Sequence, residues 1–275
     1  MINLLTIDVE EWFHTSALAP YIGIEQWEHL ESRLVSNVHR FLEILATYRT
    51  RATFFILGWV AERYPGLVRE IDSLGHEICS HGYYHRLIYH LTPAQFKDFL
   101  VRSKLILEDI VGKPVHGYRA TSFSVVKKTL WALDLIKEAG FTYDSSIFPI
   151  SYHDIYGIKG SPRFPFRHEN GLIEIPPSTL RIFGRNLPLG GGGYLRLYPY
   201  WLTGLGVRRV NQGGYPAMVY LHPWELDPGC PRIKQADRRT RFRQYFNLNK
   251  TEARINLLLS QFRWGPIREY LPNVN

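Results

Sequence analysis

Gly75-His76-Glu77-Ile78-Cys79-Ser80-His81-Gly82-Tyr83-Tyr84-His85 is the stretch from which the rest of the chain can be read. Its short apolar run, Glu77 to Cys79, reads as a strand end, and it opens into a polar turn carrying His81 and His85. Four residues make about one helical turn, so both imidazoles can point the same way. Neutral imidazole is a good zinc ligand, and two are half of a catalytic zinc site that still lacks a carboxylate. With eleven histidines in the chain, the same spacing also suits two unrelated histidines. What decides between the two is what the other strands bring to the same place.

Upstream, residues 2–8 read as a buried strand ending at Asp8, followed by Val9-Glu10-Glu11-Trp12-Phe13. In extended chain Asp8 and Glu10 lie on one face and Val9 on the other. Two carboxylates aimed at one place are costly unless a cation or proton compensates; the other reading makes Glu10 and Glu11 solvated loop charges. Leu30, Leu34, Val38, Phe41, Leu42 and Leu45 predict a helix over 29–48. A second buried strand spans 52–57, and a helix over 61–74, interrupted or started by Pro65-Gly66, is capped by Gly75.

Downstream, Thr92-Pro93 opens a helix that Gly112 ends. Strands are expected at 115–118, 141–143, 172–175 and 218–221, and helices at 127–139, 200–210 and 251–262. The stretches up to Asn170 and around Gly190-Gly191-Gly192-Gly193 read as irregular, the glycines serving either close backbone approach or a mobile loop. Strand and helix alternate, which argues for a parallel sheet with helices outside. Asp8, His81, Arg119, Asp144 and His222 each follow a strand. The carboxyl ends of parallel strands share one face, so that face would gather them.

Composition bounds the rest. The 275 residues, 45% apolar and 21% charged, suit one globular α/β domain over 1–275. The net charge of +8 fits an anionic polymer or membrane surface. No recognised motif accompanies it, so nucleic-acid binding is not expected. Two cysteines, Cys79 and Cys230, imply no disulfide framework and permit a reducing compartment. No run of eighteen apolar residues occurs, and the expectation is a cytoplasmic protein.

These landmarks resemble the NodB-type polysaccharide deacetylases, carbohydrate esterase family 4. Thr6-Ile7-Asp8-Val9-Glu10 is similar to the first family motif, Thr-Phe-Asp-Asp-Gly, and His81 to His85 to the second, His-Ser/Thr-x-x-His. Tyr118-Arg119-Ala120-Thr121-Ser122-Phe123, Tyr143-Asp144-Ser145-Ser146 and Tyr220-Leu221-His222-Pro223 resemble the third, fourth and fifth in order. The chain looks closest to the subgroup found in exopolysaccharide loci of bacteria that use exosortase sorting, where segments like Tyr-Asp-Ser-Ser-Ile-Phe-Pro, Gly-Gly-Gly-Gly-Tyr and His-Pro-Trp-Glu recur. The resemblance implies a distorted (β/α)7-type barrel with a family-specific C-terminal part at about 145–275.

It also implies roles. Asp8 would be the general base, held by Arg119, and His222 the general acid, oriented by Asp144. Glu10, His81 and His85 would hold a divalent metal, expected to be Zn2+. The departure is Val9, which stands where the family has its carboxylate ligand; Glu10, on the face of Asp8, is the natural substitute, and Glu11 takes its place if the chain bends at Val9. A backbone N–H near Ser145 or Ser146 would help hold the oxyanion. Trp12, Tyr84 and Trp224 would stack on sugar rings, or else be core and lining residues. The implied substrate is an N-acetylated glycan or its lipid-linked precursor, with membrane-associated polysaccharide assembly machinery as partner. A small non-glycan amide as substrate, or a silent carbohydrate-binding barrel, are the alternatives.

Overall fold

The computed structural model describes residues 1–273. Its centre is β1 (Asn3–Val9), in which every residue is buried. That is how an unbroken apolar run behaves when both faces of a parallel strand are covered. β2 (Thr53–Ile56), β3 (Glu77–Ser80), β4 (Gly117–Tyr118) and β5 (Tyr143–Asp144) follow in order on one side. Beyond β5 lie β6 (Phe166–Arg167) and β7 (Ile173–Glu174), with β7 next to β5 and β6 antiparallel at the edge. β8 (Thr179–Ile182) and β9 (Arg185–Pro188) form a separate hairpin. β10 (Met218–Leu221) pairs with the other side of β1, and β11 (Trp264–Gly265) extends the β1 ladder at its start.

The expected distorted (β/α)7-type barrel is present as a curled half-barrel. On the side away from β1, β10 meets irregular chain rather than a full strand. Met218 N donates to Ser178 Oγ at 2.7 Å, and Gly191 forms a lone parallel bridge to Tyr220.

The helices are α1 (Leu34–Thr47), α2 (Gly58–Arg63), α3 (Pro65–Ser73), α4 (Pro93–Val111), α5 (Ala132–Glu138), α6 (Gly192–Leu197), α7 (Tyr200–Gln212), α8 (Arg238–Tyr245) and α9 (Thr251–Gln261). α4 begins in a Thr92–Gln95 capping box with Pro93 at its first turn, and stops at Gly112 with φ 65°. The helix expected over 61–74 is two helices, because Pro65 has no N–H to continue the ladder. α1 starts at Leu34 rather than His29: the buried Glu11 carboxylate accepts from Arg33 N at 3.3 Å and Leu34 N at 3.2 Å. That anchors the helix N-terminus, where a negative charge is favoured. The hairpin, α6, α8 and the short β6 were not expected from the sequence.

Candidate active site

Asp8 leaves β1 on the face opposite Val9, which is wholly buried in the core. Glu10 follows on the face of Asp8, and both line one cleft of about 440 Å³ with His81, His85 and His222. The alternation expected of extended chain therefore holds through Glu10. Glu11 points away, to the start of α1, where Ser32 also donates to it.

Arg119 is fully buried behind Asp8. Its Nη1 donates to Asp8 Oδ1 at 2.7 Å and to Thr6 Oγ1 at 2.8 Å, and its Nη2 to Ser145 Oγ at 2.9 Å. Its guanidinium lies 4.1 Å over the Phe55 ring. A cation with this many partners has one position, and so gives Asp8 one orientation.

Glu10, His81 and His85 offer one oxygen and two nitrogens, all within 4.8 Å of one another. Three features fit them to a divalent cation. Glu10 Oε2 lies 2.8 Å from His85 Nε2, yet it is buried without a hydrogen bond among the described residues. His81 Nδ1 lies 2.8 Å from the Arg119 carbonyl; donating there, it leaves the Nε2 lone pair free, the usual outer support of a metal-binding histidine. Burial pushes His81 down to about 4, so it is neutral at pH 7. Burial alone would raise the Glu10 carboxyl, but the charges of His85 and His222 hold it well below the usual range. Two imidazoles and a carboxylate are a zinc-type donor set.

His222 stands across from these groups. Its Nε2 is 3.9 Å from both Asp8 Oδ2 and Glu10 Oε1. Its Nδ1 is 2.9 Å from Glu225 Oε2, and Arg196 Nε donates to Glu225 Oε1 at 2.7 Å. Burial lowers His222, but Glu10, Glu225 and Asp8 more than reverse this and raise it to about 9. Gly191 and Gly192, at φ 125° and 48°, bring the backbone against Tyr220 and His222; a Cβ on Gly192 would lie 3.3 Å from the His222 ring. The glycine run thus serves close approach and delivers α6, which carries Arg196.

Other expected residues sit elsewhere. Asp144 is not within ion-pair distance of His222; it is fully buried beside Glu174, its register partner across β5 and β7, and accepts from Ser146. The position that Asp144 was expected to fill on His222 is taken by Glu225. The N–H groups of Ser145 and Ser146 are occupied, by the Tyr118 carbonyl at 2.9 Å and Glu174 at 3.0 Å, so neither is free for an oxyanion. Ser145 serves instead as a strut for Arg119. Trp12 is buried, its Nε1 donating to the Glu31 carbonyl, and Tyr84 packs edge-on to Tyr83 and Phe99; neither lines the cleft. Trp224 does line it, stacked 5.6 Å from His222 and donating to Glu10 Oε1 at 3.1 Å.

Sequence reasoning missed Glu225, Arg196 and the aromatic walls Phe123, Tyr156 and Tyr194. Glu225 had a signal: a polar residue, proline, then glutamate three positions on is capping-box spacing, and Glu225 Oε2 does accept from His222 N at 3.1 Å.

Residues 30–143 match the family of polysaccharide deacetylases, and 145–272 match a domain of unknown function, DUF3473. A peptidoglycan deacetylase of Helicobacter pylori is 29% identical over 120 residues, 44% of this chain and 40% of that protein. The match thus spans well under two thirds of that deacetylase. A polysaccharide deacetylase structure from Mycobacterium smegmatis superposes with a TM-score of 0.65 at 18% identity, covering 99% of this chain and 90% of that one. An allantoinase structure gives 0.59 at 17%, covering 95% and 85%. These likenesses establish the fold. Asp8, Glu10 and His222 lie outside residues 30–143. Among the described residues no helix is long and apolar enough to cross a membrane.

Proposed function

We propose that the chain is a metal-dependent N-deacetylase. It hydrolyses N-acetyl groups on N-acetylhexosamine units of a bacterial polysaccharide or its lipid-linked precursor, in exopolysaccharide biosynthesis. The observation that carries this reading is the meeting in one cleft of a paired carboxylate, Asp8–Arg119, a donor triad, Glu10–His81–His85, and a proton-bearing imidazole, His222. The resemblance of its segments to the exosortase-associated subgroup supports the exopolysaccharide setting. The unpaired Cys79 and Cys230 are compatible with a cytoplasmic one.

Glu10, His81 and His85 would hold the cation, in our reading zinc. When bound, it supplies Lewis acidity, making water acidic and an amide carbonyl electrophilic. Asp8 accepts the proton of the attacking water, and Arg119 keeps Asp8 aimed while that proton moves. His222, protonated at neutral pH, gives its proton to the departing nitrogen. Glu225 holds the imidazole through Nδ1 and leaves Nε2 facing the cleft. Trp224 acts as a positioning residue, fixing the second oxygen of Glu10. Phe123, Tyr156 and Tyr194 give the cleft apolar walls on which a sugar ring can rest.

The test is acetate release from chitooligosaccharides by zinc-loaded protein, with product masses falling by one acetyl group per step. Failure to deacetylate any N-acetylated glycan while metal is bound would overturn the reading.

A further inference from the structure

We propose that the Phe183-tipped hairpin and the adjoining face of α7 dock the protein on an anionic lipid bilayer. Three independent observations meet on this surface.

The first is the hairpin tip. Phe183 and Gly184, at φ 47° and 76°, form the two-residue turn between β8 and β9. Such turns favour Asn-Gly or Gly, because a bulky side chain at positive φ is disfavoured. Phe183 is nevertheless there, and its side chain is entirely in solvent, at 101% relative exposure. Folding gains nothing from the ring, and it lies outside the cleft. A local rule broken without a compensating contact marks a residue kept for something else.

The second is the apolar surface beside it. Trp201 and Leu205, exposed to 66% and 38%, lie four residues apart on one face of α7. Leu205 lines a shallow pocket together with Ile182, the residue before Phe183. The tip and the helix face are thus neighbours, forming the amphipathic patch that interfacial segments present to lipid.

The third is charge. Lys159, Arg163, Arg181 and Arg185 line a groove of about 1080 Å³ on one side of the hairpin. Arg163, Arg181 and Arg209 line the pocket of about 460 Å³ that holds Leu205. No aspartate or glutamate lines either, and none of these five cations forms an ion pair among the described residues. Unneutralised cations around exposed aromatics complement a surface that is negative outside and apolar beneath. A soluble acidic polymer would meet the cations but leave Phe183 in water.

The patch is also tied to the cleft. Asn186 in β9 donates to the Pro149 carbonyl at 2.8 Å, and Tyr152 donates to the Asn186 carbonyl at 2.6 Å. The same loop continues into His153, Ile155 and Tyr156 of the cleft wall. A docked hairpin would hold that wall near the headgroups, where a lipid-linked glycan is presented; this last step rests on the deacetylase reading, the docking itself does not.

The test is co-sedimentation of the full chain with phosphatidylcholine vesicles, with and without phosphatidylglycerol, at low and high salt. Binding is expected only to the anionic vesicles and only at low salt. Arg181→Glu/Arg185→Glu should weaken it by at least ~20-fold, since each cation near an anionic leaflet contributes roughly fivefold. Phe183→Ala should weaken it roughly tenfold by removing one buried ring, with unchanged thermal midpoint because the ring makes no contact. No sedimentation with anionic vesicles at low salt, or variants that bind like the parent, would overturn the proposal. So would competition by polygalacturonate with Phe183→Ala unaffected, which assigns the groove to an acidic glycan. None of these readouts uses turnover, so docking and deacetylation fail separately.

Discussion

His222 and Glu225 are locked together: the glutamate takes both the ring Nδ1, at 2.9 Å, and the backbone N–H, at 3.1 Å, of a histidine three residues before it. The same carboxylate is anchored from behind by the buried Arg196. Glu225 therefore sets the direction of the proposed acid and, with Glu10 and Asp8, its charge. Glu225→Gln should lower turnover on the order of 10–10² by making His222 easier to deprotonate, with the alkaline limb of the pH–rate profile moving to lower pH. It should also lower stability, since Arg196 then loses the charge it was buried against. Zinc affinity should stay within a few-fold. An unmoved alkaline limb would remove His222 from the role of acid.

Glu10 and Glu11 are adjacent but serve different ends. Glu10→Ala should lower zinc affinity sharply, measured by competition with a chromogenic chelator, and leave the urea midpoint of the metal-free protein little changed. Glu11→Ala should do the reverse: near-native zinc affinity, and a loss of about 1–2 kcal/mol from the uncapped start of α1. The opposite ranking would move the ligand to Glu11.

Asp144 and Glu174 are two buried acids facing each other across β5 and β7. Burial and the neighbouring Glu174 push Asp144 well up, and burial raises Glu174 to about 7. Asp144 Oδ2 finds no donor, as expected of a pair that shares one proton. Both groups bind protons more tightly folded than unfolded. The stability they contribute is present below about pH 4.5, the ordinary value, and is lost as pH rises through about 7. Glu174→Gln, which keeps an acceptor for Ser146 and Ile147 and gives a permanent donor to Asp144, should flatten that decline in urea melts between pH 5 and 8. A variant that declines in parallel with the parent would show that no proton is shared.

The pair also shows what the sequence could and could not supply. A strand end at Asp144 was legible, but which neighbour it would meet depends on the register of β7, a two-residue strand inside an irregular region. The long apolar strands and capped helices were readable because local signals and tertiary burial agree there, as in β1 and α4. The Asp8–Glu10 alternation was readable for the same reason. α8 was not, because Arg238-Arg239-Thr240-Arg241-Phe242-Arg243 has no apolar period; only its Asp237 cap, accepting from Thr240 N at 2.9 Å, marks it. The hairpin was hidden by a turn, Phe183-Gly184, that breaks turn chemistry. Trp12 and Tyr84 could be read as sugar platforms or as core and lining residues, and only packing distinguishes these.

Asp8 is the base in this account, and it is not a ligand. Asp8→Asn should keep zinc binding within a few-fold and lower turnover on the order of 10²–10⁴. Loss of zinc from this variant would make Asp8 a ligand and undo the division of labour with Glu10.

The most direct measurement is acetate released from N-acetylated oligosaccharide by chelator-treated protein before and after one equivalent of zinc is returned. The account predicts no acetate before, release after, and no such restoration in His81→Ala or His85→Ala. Zinc taken up stoichiometrically with no acetate released from any N-acetylated glycan would contradict it.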